Sequence, residues 1–400
     1  MKRITVCLTS RGNYATLGSV LHELNADPSV DLDVIVAGAS VTERYGRLTD
    51  ILEEDGIAVS RELHNLIEGG TPEGAAKTTA LSMVEFTNEI SHNDPDAVIT
   101  IGDRFETMAV SLSATYLNVP LVHTHGGEIS GSIDERVRHA TTKLADYHFV
   151  STERSATVVR RMGEPPERVF MTGDPSMDFA AEVLEENGET EPYDPQNEYD
   201  GVGDRIDVSE PYLVVQYHPV HDDFGQEYEH TREVLEAVAE TGLNAFWFRP
   251  NMDVGNTEVT RAIEDFRAGV DPDGFRFFTN LRPRDYLRLV NGSACYVGNS
   301  SVGVRECAFL GQPSVNVGDR QRYRERADNV VDVPVEKSRI VDAIERQVSA
   351  GDYPRSKLYG DGTAGERIAE ILVETELSPK DSMKPEYLGI GDDADGGPSE

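Results

Sequence analysis

Short apolar runs alternate with helical periodicities along most of the chain. Ile4–Leu8 and Val34–Val36 read as strands, and between them Ala15, Leu17, Val20, Leu21 and Leu24 recur at the spacing of one helix face. Ala97–Ile101, Pro120–His123 and Tyr147–Val150 predict further strands, with helical patterns between them at Met108–Leu117 and Glu135–Leu144. Strands that alternate with helices imply βα units and parallel sheets. The pattern breaks at Glu182–Glu210, where acids, Gly, Pro and Asn dominate. It resumes with strands at Tyr212–Gln216, Ala245–Phe248, Phe275–Phe278, Ala294–Val297 and Ser314–Val317, then helical patterns at Arg339–Val348 and Glu366–Val373.

Several of these strands end in the same way: the apolar run stops and Gly plus hydrogen-bonding residues begin at once. Ile4–Leu8 leads to Thr9-Ser10-Arg11-Gly12-Asn13-Tyr14, Ala97–Ile101 to Gly102-Asp103-Arg104-Phe105-Glu106, and Val119–Val122 to His123-Thr124-His125-Gly126-Gly127-Glu128. In the second half Leu213–Tyr217 leads to His218-Pro219, Ala245–Phe248 to Arg249-Pro250-Asn251, and Ala294–Val297 to Gly298-Asn299-Ser300-Ser301. Open parallel sheets bind ligands outside the carboxyl ends of their strands. The fold class expected is therefore α/β, with two Rossmann-like domains facing a cleft. Residues 1–180 form the first domain, 181–210 a linker and acidic loop, and 211–362 a second, nucleotide-binding domain. Residues 363–376 are expected as a helix packing back across the junction, and 377–400, rich in Pro, Gly, Asp and Ser, as a disordered acidic tail.

Composition narrows the setting. There are 72 acidic residues against 37 basic, a net charge of -35. Such self-repulsion destabilises a compact state in dilute buffer, whereas at molar salt the Debye length falls to about 3 Å. A salt-rich cytoplasm is the expected setting. With no basic stripe to offset phosphate repulsion, nucleic acid is not an expected partner. The apolar run after Met1 stops at Ser10, too short for a secretory signal. No run approaches the roughly 18 residues of a membrane helix, so no membrane partner is expected. Cys7, Cys295 and Cys307 are scattered and read as buried thiols.

Gly298-Asn299-Ser300-Ser301-Val302-Gly303-Val304-Arg305-Glu306 is the most informative single segment. A strand ends in small hydroxyl-bearing residues and a helix begins, which makes an anion site of free N–H groups and helix dipole. Glu306 could accept hydrogen bonds from ribose hydroxyls. A nucleophile elbow would need Gly where Val302 stands. The NTPase phosphate loop and the Gly-x-Gly-x-x-Gly fingerprint are both missing. His123 and His125 would share one face of a continued strand, a spacing that suits metal ligands, but no second ligand cluster accompanies them.

Gly102 through Glu106, His123 through Asp134, Gly298 through Glu306, Gly318-Asp319-Arg320-Gln321 and Tyr359-Gly360-Asp361-Gly362 resemble, in order, the motifs of hydrolysing UDP-N-acetylglucosamine 2-epimerases. The resemblance runs from about residue 3 to 375 and implies the glycosyltransferase-B architecture, no cofactor, no metal and a homodimer or homotetramer. It implies elimination of UDP from a UDP-linked N-acetylated amino sugar, followed by hydration of the glycal to N-acetylmannosamine. A 2,4-diacetamido sugar, or a non-hydrolysing outcome, is the alternative. By position, Arg11, Arg104, His218, Asn251, Ser300, Ser301, Glu306 and Arg320 resemble the UDP-binding set. Asp103, His125 and Asp134 would surround the sugar, with Glu128 and His218 as further catalytic candidates. Two positions depart from the family's usual pattern: His125 stands where an acid is common, and Ala15 where Ser or Gly is common.

Overall fold

The computed structural model describes residues 1–43, 47–68, 70–131, 133–186, 192–220, 225–250, 253–270 and 273–380. The first lobe runs β1 (Lys2–Leu8), α1 (Arg11–Ala26), β2 (Val30–Ala37), α2 (Leu48–Glu54), β3 (Arg61–Leu63), α3 (Pro72–Asn93), β4 (Ala97–Ile101), α4 (Phe105–Tyr116), β5 (Leu121–Thr124), α5 (Ile133–Leu144), β6 (Tyr147–Val150), α6 (Glu153–Arg161), β7 (Val169–Met171) and α7 (Ser176–Glu186). The second runs β8 (Val202–Gly203), β9 (Tyr212–Gln216), α8 (Glu227–Glu240), β10 (Asn244–Phe248), α9 (Asn256–Val270), β11 (Phe275–Phe278), α10 (Pro283–Asn291), β12 (Cys295–Gly298), α11 (Glu306–Leu310), β13 (Ser314–Val317), β14 (Val330–Val333) and α12 (Lys337–Ala350). A last helix, α13 (Ala364–Glu374), follows.

Among the described residues the strands form two sheets of seven, ordered β3-β2-β1-β4-β5-β6-β7 and β14-β13-β12-β9-β10-β11-β8. Each places its lobe's first long strand inside the sheet, and the strand order reverses beside it, between β1 and β4 and between β9 and β12. Those reversals are where open α/β sheets bind ligands. All pairings are parallel except β8 with β11. The segment expected as a linker thus supplies an edge strand. It is further tied down by Gln196, whose amide exchanges hydrogen bonds with the backbone of Ile206 at 2.7 and 2.8 Å.

Alternation along each strand sorts side chains into layers. Ile4, Val6 and Leu8 face the α1 side with Leu17, Leu21 and Leu24, while Cys7 faces Phe86 and Ile90 of α3. In the second lobe Leu213 and Val215 pack beneath α8, α9 and α12, and Tyr212 and Val214 beneath α10 and α11. The three cysteines are buried free thiols. Two helices tie the lobes together. α7 places Met177, Ala180 and Val183 in the second lobe's core and also packs on α1. α13 returns to the first lobe, where Ile368, Ala369 and Leu372 join the β1–β2 core. Lys2 Nζ caps it by donating to the carbonyls of Leu372, Val373 and Thr375 at 2.7–2.8 Å.

The expected disorder from Leu377 does not hold for the first four residues. Ser378 N donates to the Tyr147 hydroxyl, and Lys380 Nζ reaches Glu164 at 2.7 Å plus two carbonyls at the end of α5. Burial of these charges next to His148 and Lys143 overrides composition. Residues 381–400 lie outside the described residues. No described helix is long and apolar enough to cross a membrane.

Candidate active site

The carboxyl ends of β1, β4 and β5 face those of β9, β10 and β12 across a cavity of about 370 Å³ lined by both lobes. The start of α1 forms one wall, where the side chain of the N-cap Ser10 accepts from Asn13 N, and Asn13 Oδ1 accepts from Ser10 N at 3.0 Å. Opposite, Gly298 lets β12 end beside β9. Its φ is +144°, and a Cβ there would lie 1.9 Å from the Gln216 carbonyl oxygen, so no other residue fits. Asn299 then staples the two strand ends, accepting from His218 N at 2.7 Å and donating to its carbonyl at 2.8 Å.

Asp103, Arg104, His125, Asp134, Ser301 and Arg320 line this cavity together. Arg11 does not line it: between the lining residues Ser10 and Gly12, its Nη2 donates to the Leu281 carbonyl at 3.0 Å, and burial lowers its pKa to about 10. His218 sits behind Pro219 and Val220, where burial holds the imidazole neutral, down to about 3. Ser300 caps the turn at Ser301–Gly303. Glu128 and Glu306 are buried against Arg305 rather than lining the cavity. Asn251 lies outside the described residues.

Asp103 and Asp134 are tuned in opposite directions. Burial opposes charge on Asp103, but Arg138, Arg324 and Arg320 outweigh it and hold the carboxyl well below the usual range. Its ion pair is with Arg138 and not with its neighbour Arg104, which instead bridges Glu106 and, across the cleft at 2.8 Å, Asp253. For Asp134, burial and then the charge of Asp103 push the pKa up to about 6. Two carboxyls in one cavity with separated pKa values are suited to proton transfer near neutrality.

A buried ion network joins the lobes below. Arg305 Nη1 lies 2.8 Å from Asp174 Oδ2 and 3.3 Å from His125 Nδ1, while His125 Nε2 lies 3.1 Å from Asp174 Oδ1. Arg324 pairs with Glu128 at 2.9 Å. His125 has φ +64°, a left-handed conformation that ends β5 and turns the chain into Gly126. This turn removes the shared face expected for His123 and His125. His123 instead sits neutral, lowered to about 3 by burial, with Nε2 2.9 Å from the Gly102 carbonyl. The potential ligand atoms of His125, Glu128 and Asp174 do lie within 4.8 Å of one another. Arg305 and Arg324 already neutralise that cluster, and a divalent cation would have to displace both guanidiniums.

Arg138, Asp174, Asp253 and Arg324 are site residues beyond those the sequence predicts, and Arg305 enters the sequence reading only as part of the Gly298–Glu306 segment. Arg138 stands one helical turn after Asp134 on α5, a spacing that puts both on one face. Asp174 and Asp253 follow β7 and β10 at the same carboxyl edge that singled out the others. The signal was present for these three. For Arg324, in a loop after β13, no sequence signal sets it apart from Arg322 and Arg326.

The profile of the UDP-N-acetylglucosamine 2-epimerase family matches residues 22–373. A Legionella pneumophila protein named UDP-N,N'-diacetylbacillosamine 2-epimerase (hydrolyzing) is 31% identical over 372 residues, spanning 93% of this chain and 96% of its own. The UDP-N-acetylglucosamine 2-epimerase of Neisseria meningitidis is 28% identical over 381 residues, 94% and 96% of the two chains. The crystal structure of a Neisseria meningitidis UDP-GlcNAc 2-epimerase bound to UDP-GlcNAc superposes with a TM-score of 0.76 at 20% identity, covering 94% of this chain and all of that one. The fold is accordingly the two-lobed glycosyltransferase-B type. By its profile match and its Legionella relative, this chain belongs to the UDP-N-acetylglucosamine 2-epimerase family.

Proposed function

We propose that the chain is a hydrolysing 2-epimerase, converting UDP-N-acetylglucosamine and water to UDP and N-acetylmannosamine. The observation that carries this is the Asp103–Asp134 pair, tuned apart inside a cavity whose other lobe offers Ser301 and Arg320. In this reading Asp134 takes the proton from C2 as the C1–O bond breaks, and the bonding pair leaves with UDP. The glycal C1=C2 bond forms; water then adds its hydroxyl to C1, and C2 is protonated from the opposite face. Asp103 stays ionised beside Arg138 and keeps Asp134 poised near neutral pH. Arg104, Arg320, Arg11, His218 and Ser300–Ser301 are assigned to the diphosphate and uridine, whose departure lowers the barrier. Glu306 is assigned to the ribose, Asn251 to the nucleotide. His125 is assigned to the polar wall by the hexose, and Glu128 to the buried ion network that holds Arg305 and Arg324 behind it.

A sugar with a second acetamido group is the other reading, favoured by the name of the Legionella relative. The hydrolysing outcome is supported by that same name and by the His123–Glu128 run. Incubation with each UDP-sugar, followed by phosphorus NMR at molar salt, tests both. Free UDP is expected; an epimeric UDP-sugar would make the enzyme non-hydrolysing, and no turnover would defeat the reading. The assignment extends to a salt-rich cytoplasm, given the net charge of -35. It also includes self-association through the exposed Leu81 and Val84 of α3 and Tyr116 of α4.

A further inference from the structure

Ser301 lines the cavity, and its hydroxyl accepts a hydrogen bond from Arg305 Nη2 at 2.9 Å. A guanidinium can only donate, and a hydroxyl carries one proton and two lone pairs. With a lone pair committed to Arg305, the Ser301 proton is turned away from the guanidinium. Among the described residues it is donated to no protein acceptor. The other terminal nitrogen of Arg305 is held by the opposite lobe, at Asp174 and His125. Asp174 is itself fixed: its backbone N–H donates to the Tyr359 carbonyl at 2.7 Å, and its side chain accepts from Ser176 N at 3.0 Å. One planar group therefore spans the lobe junction, with an ion pair at one end and the start of the anion-binding turn at the other.

We propose that Arg305 is a positioning residue: anchored to the first lobe by Asp174 and His125, it fixes the Ser301 hydroxyl as a hydrogen-bond donor to the diphosphate of the nucleotide sugar. The inference rests on the nucleotide-sugar reading above and adds that the diphosphate site is complete only when the two lobes are joined at this contact. Lysine could keep the charge beside Asp174 but could not hold both ends, because its ammonium is a single point rather than a fork.

Calorimetric titration of UDP into the wild type, S301A, R305K and the S301A/R305K double variant tests it. UDP binding by the wild type is read first, and failure there overturns the nucleotide-sugar reading itself. S301A is expected to weaken UDP by about 10- to 100-fold, the loss of a hydrogen bond to a charged group. R305K is expected to lose a comparable factor, and the double variant to bind no more weakly than S301A within about twofold. Wild-type UDP affinity in S301A, or losses that multiply in the double variant, would overturn the proposal. Should R305K fail to fold by circular dichroism, Asp174→Asn replaces it, loosening the guanidinium while keeping it. It is expected to weaken UDP in the wild-type background and to have no effect in S301A; a loss of equal size in both backgrounds would overturn the proposal.

Discussion

The Asp103 carboxylate is paired with Arg138 on α5, and its charge helps to raise the pKa of Asp134, one helical turn earlier, to about 6. An acid held ionised and an acid held near its midpoint thus share one wall. Replacing Asp134 by Asn should lower kcat by about 100- to 10,000-fold, the range of general acid–base catalysis. UDP affinity should stay within about threefold of the wild type. Steady-state rates combined with UDP titration check both halves.

The pH dependence follows with a definite sign. As a base, Asp134 works when ionised, so kcat/KM should rise with pH through a midpoint of about 6. Asp103→Asn removes a negative charge that disfavours ionisation of Asp134 and leaves Arg138 to favour it. The midpoint should move to lower pH. A pH–rate profile of the D103N enzyme that shifts upward would contradict the coupling.

Arg138 is 1% exposed and its partner Asp103 is part-buried, so removing the guanidinium leaves a partly desolvated carboxylate without its ion pair. Arg138→Met should cost about 1–3 kcal/mol in stability. Adding Asp103→Asn should recover most of that loss without restoring turnover. Denaturant melts of the two variants, compared with their rates, separate the stability role from the catalytic one.

Gly298→Ala should be among the most damaging changes in the chain. It combines a φ of +144° with a Cβ only 1.9 Å from the Gln216 carbonyl oxygen, and both strand ends carry the site. A loss of more than about 4 kcal/mol is expected in urea unfolding. UDP binding should be lost along with it.

Away from the residues that line the cavity, Lys380→Ala should cost about 1–3 kcal/mol, because Glu164 is 1% exposed and, among the described residues, keeps Lys143 and His148 as its remaining charged partners. Turnover should not change. Thermal melting and a standard rate assay suffice.

How much of this was legible depends on where each signal lives. Strand endings at Leu8, Ile101 and Val297 marked the cavity because a buried parallel strand must be apolar to its end, and only the residues beyond it are free to do chemistry. The same rule covered Asp174 and Asp253, but a single acid after a short strand does not stand out from the surrounding acidic background. The pairing of Asp103 with Arg138 rather than the adjacent Arg104 could not be read from sequence. It depends on α5 packing alongside α4, a tertiary relation. The ordered stretch through Lys380 was hidden for a similar reason: a tail of polar composition becomes fixed when one lysine finds a buried glutamate.

The return of α13 to the β1–β2 core has a consequence for biosynthesis. A first lobe that lacks its closing helix keeps Leu17, Val20 and Leu24 without part of their cover until α13 has been made. The nascent protein must therefore hold one unfinished half while the other is made. That half closes only when Ala364–Glu374 folds back against the strands made first.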